Sequence, residues 1–221
     1  MVIFAVPAIF FAIALFGTTL WSLVHLEYKQ WMLVGWLTSV VFFLIAIAIW
    51  DHRRGIHLSP DLIRKDILWL LGLMMFGLVL GVYRLQAMPD SLMGDEGYFW
   101  TSARDIAEGL FKPPIFAVGV YTFPVFSTYL QAWILNNFGI SLWGWRFSSV
   151  ISGVVTVLPL YLLTRDAFNR KVAIASSIAL IISPYFLAFT RLGYISIQSL
   201  FITTLAVYWL YIGLNRDSHL Y

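Results

Sequence analysis

The sequence predicts an all-α polytopic membrane protein, and three observations carry that prediction. Of its 221 residues 61% are hydrophobic and 18% aromatic, while only 11% are charged. The mean hydropathy is +0.84. Apolar runs recur at about 20 residues, the length a helix needs to cross a hydrocarbon core. A soluble domain carries about 25% charged residues, so this chain cannot coat a water-facing surface, and its apolar content equally excludes a disordered one. Cysteine is absent, which excludes a disulfide framework, a thiolate metal site and a cysteine nucleophile. The formal net charge of +3 arises from 14 Lys and Arg in small scattered groups, so no basic stripe points to nucleic acid. Membrane lipids are the expected surroundings.

The elements follow in order. Val2–Val24 is uncharged and reads as a retained anchor, because it lacks a basic n-region and its apolar run exceeds that of a signal peptide. Six further apolar segments occupy about residues 31–50, 67–83, 123–137, 146–163, 172–189 and 195–214, so about seven apolar helices are expected. The connection 51–66 carries Arg53, Arg54, Arg64 and Lys65, and residues 165–171 carry Arg165, Arg170 and Lys171. The positive-inside rule places both in the cytoplasm. Loop 84–121 then lies outside, with Arg84, Arg104 and Lys112 against Asp90, Asp95, Glu96, Asp105 and Glu108. Two full crossings between this loop and Arg165 would bring the chain back outside, against its own charge. The expected resolution is that residues 123–145 dip in and return as a hairpin or re-entrant piece. Arg146 is then near the outer face and 146–163 runs inward, with protein covering any irregular backbone at depth.

The outer loop has its own pattern. Phe99, Ala103, Ile106 and Leu110 recur at helical spacing, and Thr101, Arg104, Asp105 and Glu108 take the opposite face. This predicts an amphipathic juxtamembrane helix over 96–110, with Tyr98 and Trp100 near its start and Pro113-Pro114 after its end. At its start stand the adjacent carboxylates Asp95 and Glu96, between Gly94 and Gly97. Asp is a favoured N-cap; a carboxylate just outside the bilayer can also orient and deprotonate an acceptor hydroxyl. Both readings of Asp95 stand on the residues alone.

Arg84, Arg146 and Arg191 lie beside or within apolar stretches on the same outer side. A charge near membrane depth costs about 2.5 kcal/mol or more unless it is paired or snorkels. The guanidinium fork suits a phosphate, so three arginines beside a carboxylate point to a lipid-phosphate substrate. His25, His52, His57 and His219 show no ligand spacing, and neither a glycine-rich phosphate loop nor a dinucleotide fingerprint is present.

Taken in order, these residues resemble a known family. Arg84-Leu85, Pro89, Gly94-Asp95-Glu96, Pro124 with Tyr129-Leu130, Gly139, Arg146-x-x-Ser149-x-x-x-Gly153, Ser183-Pro184 and Phe189-Thr-Arg-x-Gly193 are similar to the polyprenyl-phosphate-sugar-dependent membrane glycosyltransferases of the type C superfamily. The branch is that of the protein O-mannosyltransferases and aminoarabinose transferases. The resemblance runs from about residue 84 to 214 and departs from the family where Gly97-Tyr98-Phe99 replaces an Arg-Tyr pair. It implies inverting transfer of a glycosyl group from a polyprenyl-phosphate sugar to a lipid, glycan or protein acceptor, on the outer face of a prokaryotic cytoplasmic membrane. Asp95 would be the base, with Glu96, Arg84, Arg146 and Arg191 binding substrate. No metal or other cofactor is then required, because the polyprenyl phosphate leaves as an anion that arginines stabilise. The expected organisation is 1–66 as two N-terminal helices and a cytoplasmic loop, and 67–221 as the transferase-like module, incomplete at its C-terminus. The competing reading is a non-enzymatic membrane protein, a partial or degenerate transferase acting as scaffold or subunit.

Overall fold

The computed structural model of the chain describes residues 2–25, 31–52, 60–87, 90–92 and 94–215. The described residues are all-helical: α1 (Val2–Val24), α2 (Trp31–His52), α3 (Pro60–Val82), α4 (Glu96–Ala107), α5 (Val125–Phe138), α6 (Leu142–Ala167), α7 (Arg170–Ile182), α8 (Pro184–Arg191) and α9 (Ser196–Asn215), with a short 3-10 turn at Val120–Thr122. Arg53, Arg54, His57, Pro89 and His219 lie outside the described residues, as do the side chains of Arg64, Lys65 and His52.

Judged by length and composition, two of the described helices can cross a membrane, Leu142–Ala167 and Ser196–Leu214. A third crossing is Arg170–Ile182 taken with Pro184–Arg191, which meet at a bend of 59°. Shorter apolar helical stretches cover Ile9–Val24, Trp31–Ala46 and Asp66–Val82. The chain is an integral membrane protein, with fewer simple spans among its described residues than the seven segments expected.

Three departures from the sequence pattern have local causes. The segment 172–189 is two helices because Pro184 has no N–H and its ring clashes with a preceding carbonyl, so the helix stops at Ile182 and restarts with Pro184 in its first turn. The juxtamembrane helix expected over 96–110 ends at Ala107, since Gly109 adopts φ +73° and the Leu110 and Phe111 amides fold back onto the Asp105 carbonyl. Leu110 therefore leaves the buried face and stands exposed. Finally, α6 begins four residues before Arg146, because the Ser141 hydroxyl accepts from the Gly144 amide and caps the helix there.

The chain divides into two compact units. The first comprises residues 1–58, 113–118 and 210–221. Its helices α1 and α2 are antiparallel, with Phe11 on Phe42 and Thr19 beside Gly35. Ala12, Thr19 and Ser22 on α1 and Ser39 and Ala46 on α2 are buried. Small residues let helices approach closely where lipid supplies no hydrophobic drive to pack.

The second unit comprises residues 59–112 and 119–209. Here Leu70 and Leu73 of α3 pack with Val157 and Tyr161 of α6 and with Ala173 and Ile181 of α7. Helix α6 runs antiparallel to α3, since Val150 lies against Gly81 near one end and Arg165 pairs with Asp66 at the other. Helix α7 runs parallel to α3, with Arg170 on Asp66 and Ile181 beside Gly77. The buried Asp66 thus joins three helices at one end. Asp166 extends this cluster, pairing with Arg165 at 3.3 Å and accepting from the Tyr208 hydroxyl of α9 at 3.3 Å.

A second core, formed by Phe99, Ala103, Leu135, Trp145 and Ile195, fastens α4 and α5 to the opposite end of this bundle. Helix α5 has 14 residues and is about 21 Å long at 1.5 Å per residue, short of a hydrocarbon core of about 30 Å. It packs on α4 as well as α6. Arg146, just past the α5–α6 turn, bonds the Leu85 carbonyl just past α3, so the chain leaves α3 and enters α6 at the same end.

Candidate active site at the start of the juxtamembrane helix

The site is built on Glu96, the first residue of α4, which is fully buried. Its Oε1 accepts from Arg146 Nε at 3.0 Å, from the Gly193 amide at 2.9 Å and from Trp145 Nε1 at 3.3 Å, while Oε2 accepts from Arg146 Nη2 at 3.3 Å. Arg146, equally buried, directs its remaining N–H groups to the Leu85 carbonyl at 3.3 Å and the Ser91 carbonyl at 2.8 Å. One ion pair therefore ties four segments: the chain after α3, the start of α4, the start of α6 and the turn after α8. A charge out of water is tolerated only when paired and fully hydrogen-bonded, and this pair meets that condition.

The packing explains two glycines in the sequence pattern. A Cβ on Gly193 would overlap the Trp145 indole nitrogen, so any larger residue would push Trp145 away and withdraw the Gly193 amide from Glu96. A Cβ on Gly153 would come within 2.7 Å of Thr190, so its absence sets how closely α8 lies on α6. The Gln131 amide on α5 adds a 3.1 Å bond to the Gly193 carbonyl.

Asp95 stands beside this buried frame but is itself exposed. It occupies the N-cap position with helical φ −72° and ψ −8°, and its side chain makes no capping bond. Of the two readings open on the sequence, the capping one is not what the carboxylate does. Instead Asp95 Oδ1 accepts a 3.0 Å hydrogen bond from the Tyr121 hydroxyl. Partial desolvation, then the bond to Asp95 and its charge, push the Tyr121 phenol above its ordinary pKa of 10.0, so Tyr121 stays a proton donor at neutral pH. Its ring lies edge-on to Tyr98 and Phe99, each 5.8 Å away, and Phe99 also meets Phe123 and Tyr194.

The other two arginines sit at the same end. Arg191, the last residue of α8, donates to the Leu80 carbonyl at 3.5 Å and the Arg84 carbonyl at 3.4 Å, and is half-buried. Arg84 has φ +49° in the turn after α3, and its side chain is exposed. The five residues singled out in the sequence thus fall at one end of the second unit in two groups. Glu96 and Arg146 form its buried frame, and Asp95, Arg84 and Arg191 retain access to solvent. Gly94, next to Asp95, is close enough to Tyr194 that an added Cβ would lie 3.3 Å from its hydroxyl.

Sequence reasoning missed the parts played by Trp145, Gly193 and Tyr121. Gly193 carried a signal, an isolated glycine two residues from an arginine flanked by apolar helix. Tyr121 carried none, since its role depends on a chain reversal that brings it back over residue 95.

The described residues combine apolar helices of membrane-spanning character with a carboxylate–arginine cluster at the start of α4, and one comparison bears on the class of protein this makes. Residues 123–221 match the family model described as dolichyl-phosphate-mannose-protein mannosyltransferase. The match supports a type C-like membrane glycosyltransferase of the mannosyltransferase type, a class that draws on lipid-linked sugars. It covers less than half of the chain, taking in α5 to α9 and leaving Asp95 and Glu96 outside. No curated protein and no solved structure matches the chain.

Proposed function

We propose that the chain transfers a glycosyl group from a polyprenyl-phosphate sugar to a hydroxyl acceptor at the outer face of a prokaryotic cytoplasmic membrane, with inversion and with Asp95 as base. The observation that carries the reading is the contrast between the adjacent acids. Glu96 is buried and saturated with donors, while Asp95 is exposed, free of a capping role and held in place by its neighbour's anchorage. A base must reach its substrate, and Asp95 satisfies that requirement.

Arg84 and Arg191 are the residues we assign to the donor phosphate, whose leaving oxygen gains negative charge as the glycosyl bond breaks. Arg146 and Glu96 we assign to positioning, because each is fully buried and engaged by the other. An apolar cleft of about 380 Å³ at the α7–α8 break, lined by Leu180, Phe186, Phe189, Ile197 and Leu200, offers surface for the isoprenoid tail. The transferase-like module is assigned to 67–221, with 1–66 as an N-terminal addition.

The test is reconstitution of the full chain in liposomes with polyprenyl-phosphate mannose as the probe. Release of polyprenyl phosphate, with the product sugar in the opposite anomeric configuration to the donor, is the expected result. Release no faster than in empty vesicles counts against the enzyme and favours the scaffold reading. Sidedness has its own test, aided by the natural absence of cysteine. An impermeant thiol reagent should label D95C in intact cells, and F168C, at a residue 70% exposed between α6 and α7, only after permeabilisation. The reverse pattern would overturn the orientation.

A further inference from the structure

We infer that Tyr121 is a positioning residue for the base, holding the Asp95 carboxylate by one oxygen so that the other faces the acceptor; this rests on the transferase reading above. Three observations converge on it. The Tyr121 hydroxyl donates to Asp95 Oδ1 at 3.0 Å across 26 residues of sequence. Its backbone is held at φ +50°, and the following Thr122 at φ +65°, a conformation a β-branched residue rarely adopts. The aromatic ring is clamped by Tyr98 and Phe99 at 5.8 Å each, so the phenol is aimed by packing and not by chance rotation.

The arrangement has a chemical use. An exposed carboxylate at a helix start rotates among several orientations, and each is a different geometry for proton acceptance. With Oδ1 engaged by Tyr121, Oδ2 is left for the acceptor. In the transfer step the acceptor oxygen forms its bond to the anomeric carbon. The bond from that carbon to the phosphate oxygen breaks, and its electron pair departs with the polyprenyl phosphate. The acceptor's proton passes to Asp95 Oδ2. Tyr121 keeps its own proton throughout and touches neither substrate.

Such a residue affects turnover more than binding. With polyprenyl-phosphate mannose as the probe and the full chain in liposomes, Tyr121→Phe keeps the ring contacts and the strained turn while deleting the hydroxyl. It is expected to lower kcat about 10- to 100-fold, the scale on which a reacting group is misplaced, with KM for the donor within about twofold of wild type. Tyr121→Ala, which also frees the turn, should lower kcat at least as far. A Tyr121→Phe protein with unchanged kcat, alongside an inactive Asp95→Asn protein, would overturn the positioning role and leave the base intact. An Asp95→Asn protein that retains wild-type turnover, or a wild-type chain without turnover, would overturn the transferase reading and this inference with it. An equal loss in kcat and rise in KM would mark Tyr121 as a substrate contact and overturn the proposal as well.

Discussion

Replacing Asp95 with Asn is expected to abolish transfer while leaving the fold as it is. The substitution keeps the size of the side chain and removes only the charge and the capacity to take up a proton. Asp95 is exposed and makes no capping bond, so no stabilising contact is lost. The Tyr121 hydroxyl can still donate to the amide oxygen in place of Oδ1. Loss of a general base lowers rates by about 10²–10⁴-fold, and a loss of that size in release of polyprenyl phosphate, with an unshifted melting temperature in detergent, is the anticipated pair of results. A protein that melts normally and retains its rate would show that another group accepts the proton.

Glu96→Gln should do the opposite, striking stability first. The carboxylate is fully buried and pairs with an equally buried guanidinium. The substituted amide would keep an acceptor for the Gly193 N–H but would turn an N–H₂ group or a neutral oxygen toward Arg146. Removing one partner of a buried pair leaves an uncompensated charge and costs about 3–5 kcal/mol. The expected outcome is a large fall in melting temperature, and loss of activity only as a consequence. Adding Arg146→Gln should recover part of that loss, because the stranded charge is then gone. If the double variant instead loses the full sum of the single ones, the two side chains are not coupled.

How far the sequence alone leads can be read from these residues. Helices α1, α2 and α9 lie close to the apolar runs that predict them, because span length is a property of composition. The bend at Ser183-Pro184 is present as a motif, yet a count of apolar residues runs straight through it. Helix α5 illustrates the reverse difficulty: residues 123–137 read as an apolar segment, and it takes the helix's 14-residue length together with its packing on α4 to separate it from a crossing. At the site, sequence and charge put Asp95, Glu96 and the three arginines on one side of the membrane. They could not pair Glu96 with Arg146, fifty positions apart, because side is a one-dimensional inference and proximity a three-dimensional one. Asp66 reads in sequence as the edge of a basic loop for the same reason, although its two arginine partners stand about a hundred residues further on.

The two charged clusters also act as a gauge. Arg146 and Arg165 lie on the single helix α6, and nineteen steps of 1.5 Å place them about 28 Å apart. Each is locked into its own end of the bundle, one by Glu96 and the other by Asp66, so neither can slide along the helix to suit its surroundings. A bilayer core of about 30 Å accommodates that spacing nearly unstrained, whereas one several ångströms thinner or thicker must deform or tilt the helix at a fraction of a kcal/mol per ångström. A membrane whose core matches that spacing is therefore expected to leave α6 least tilted.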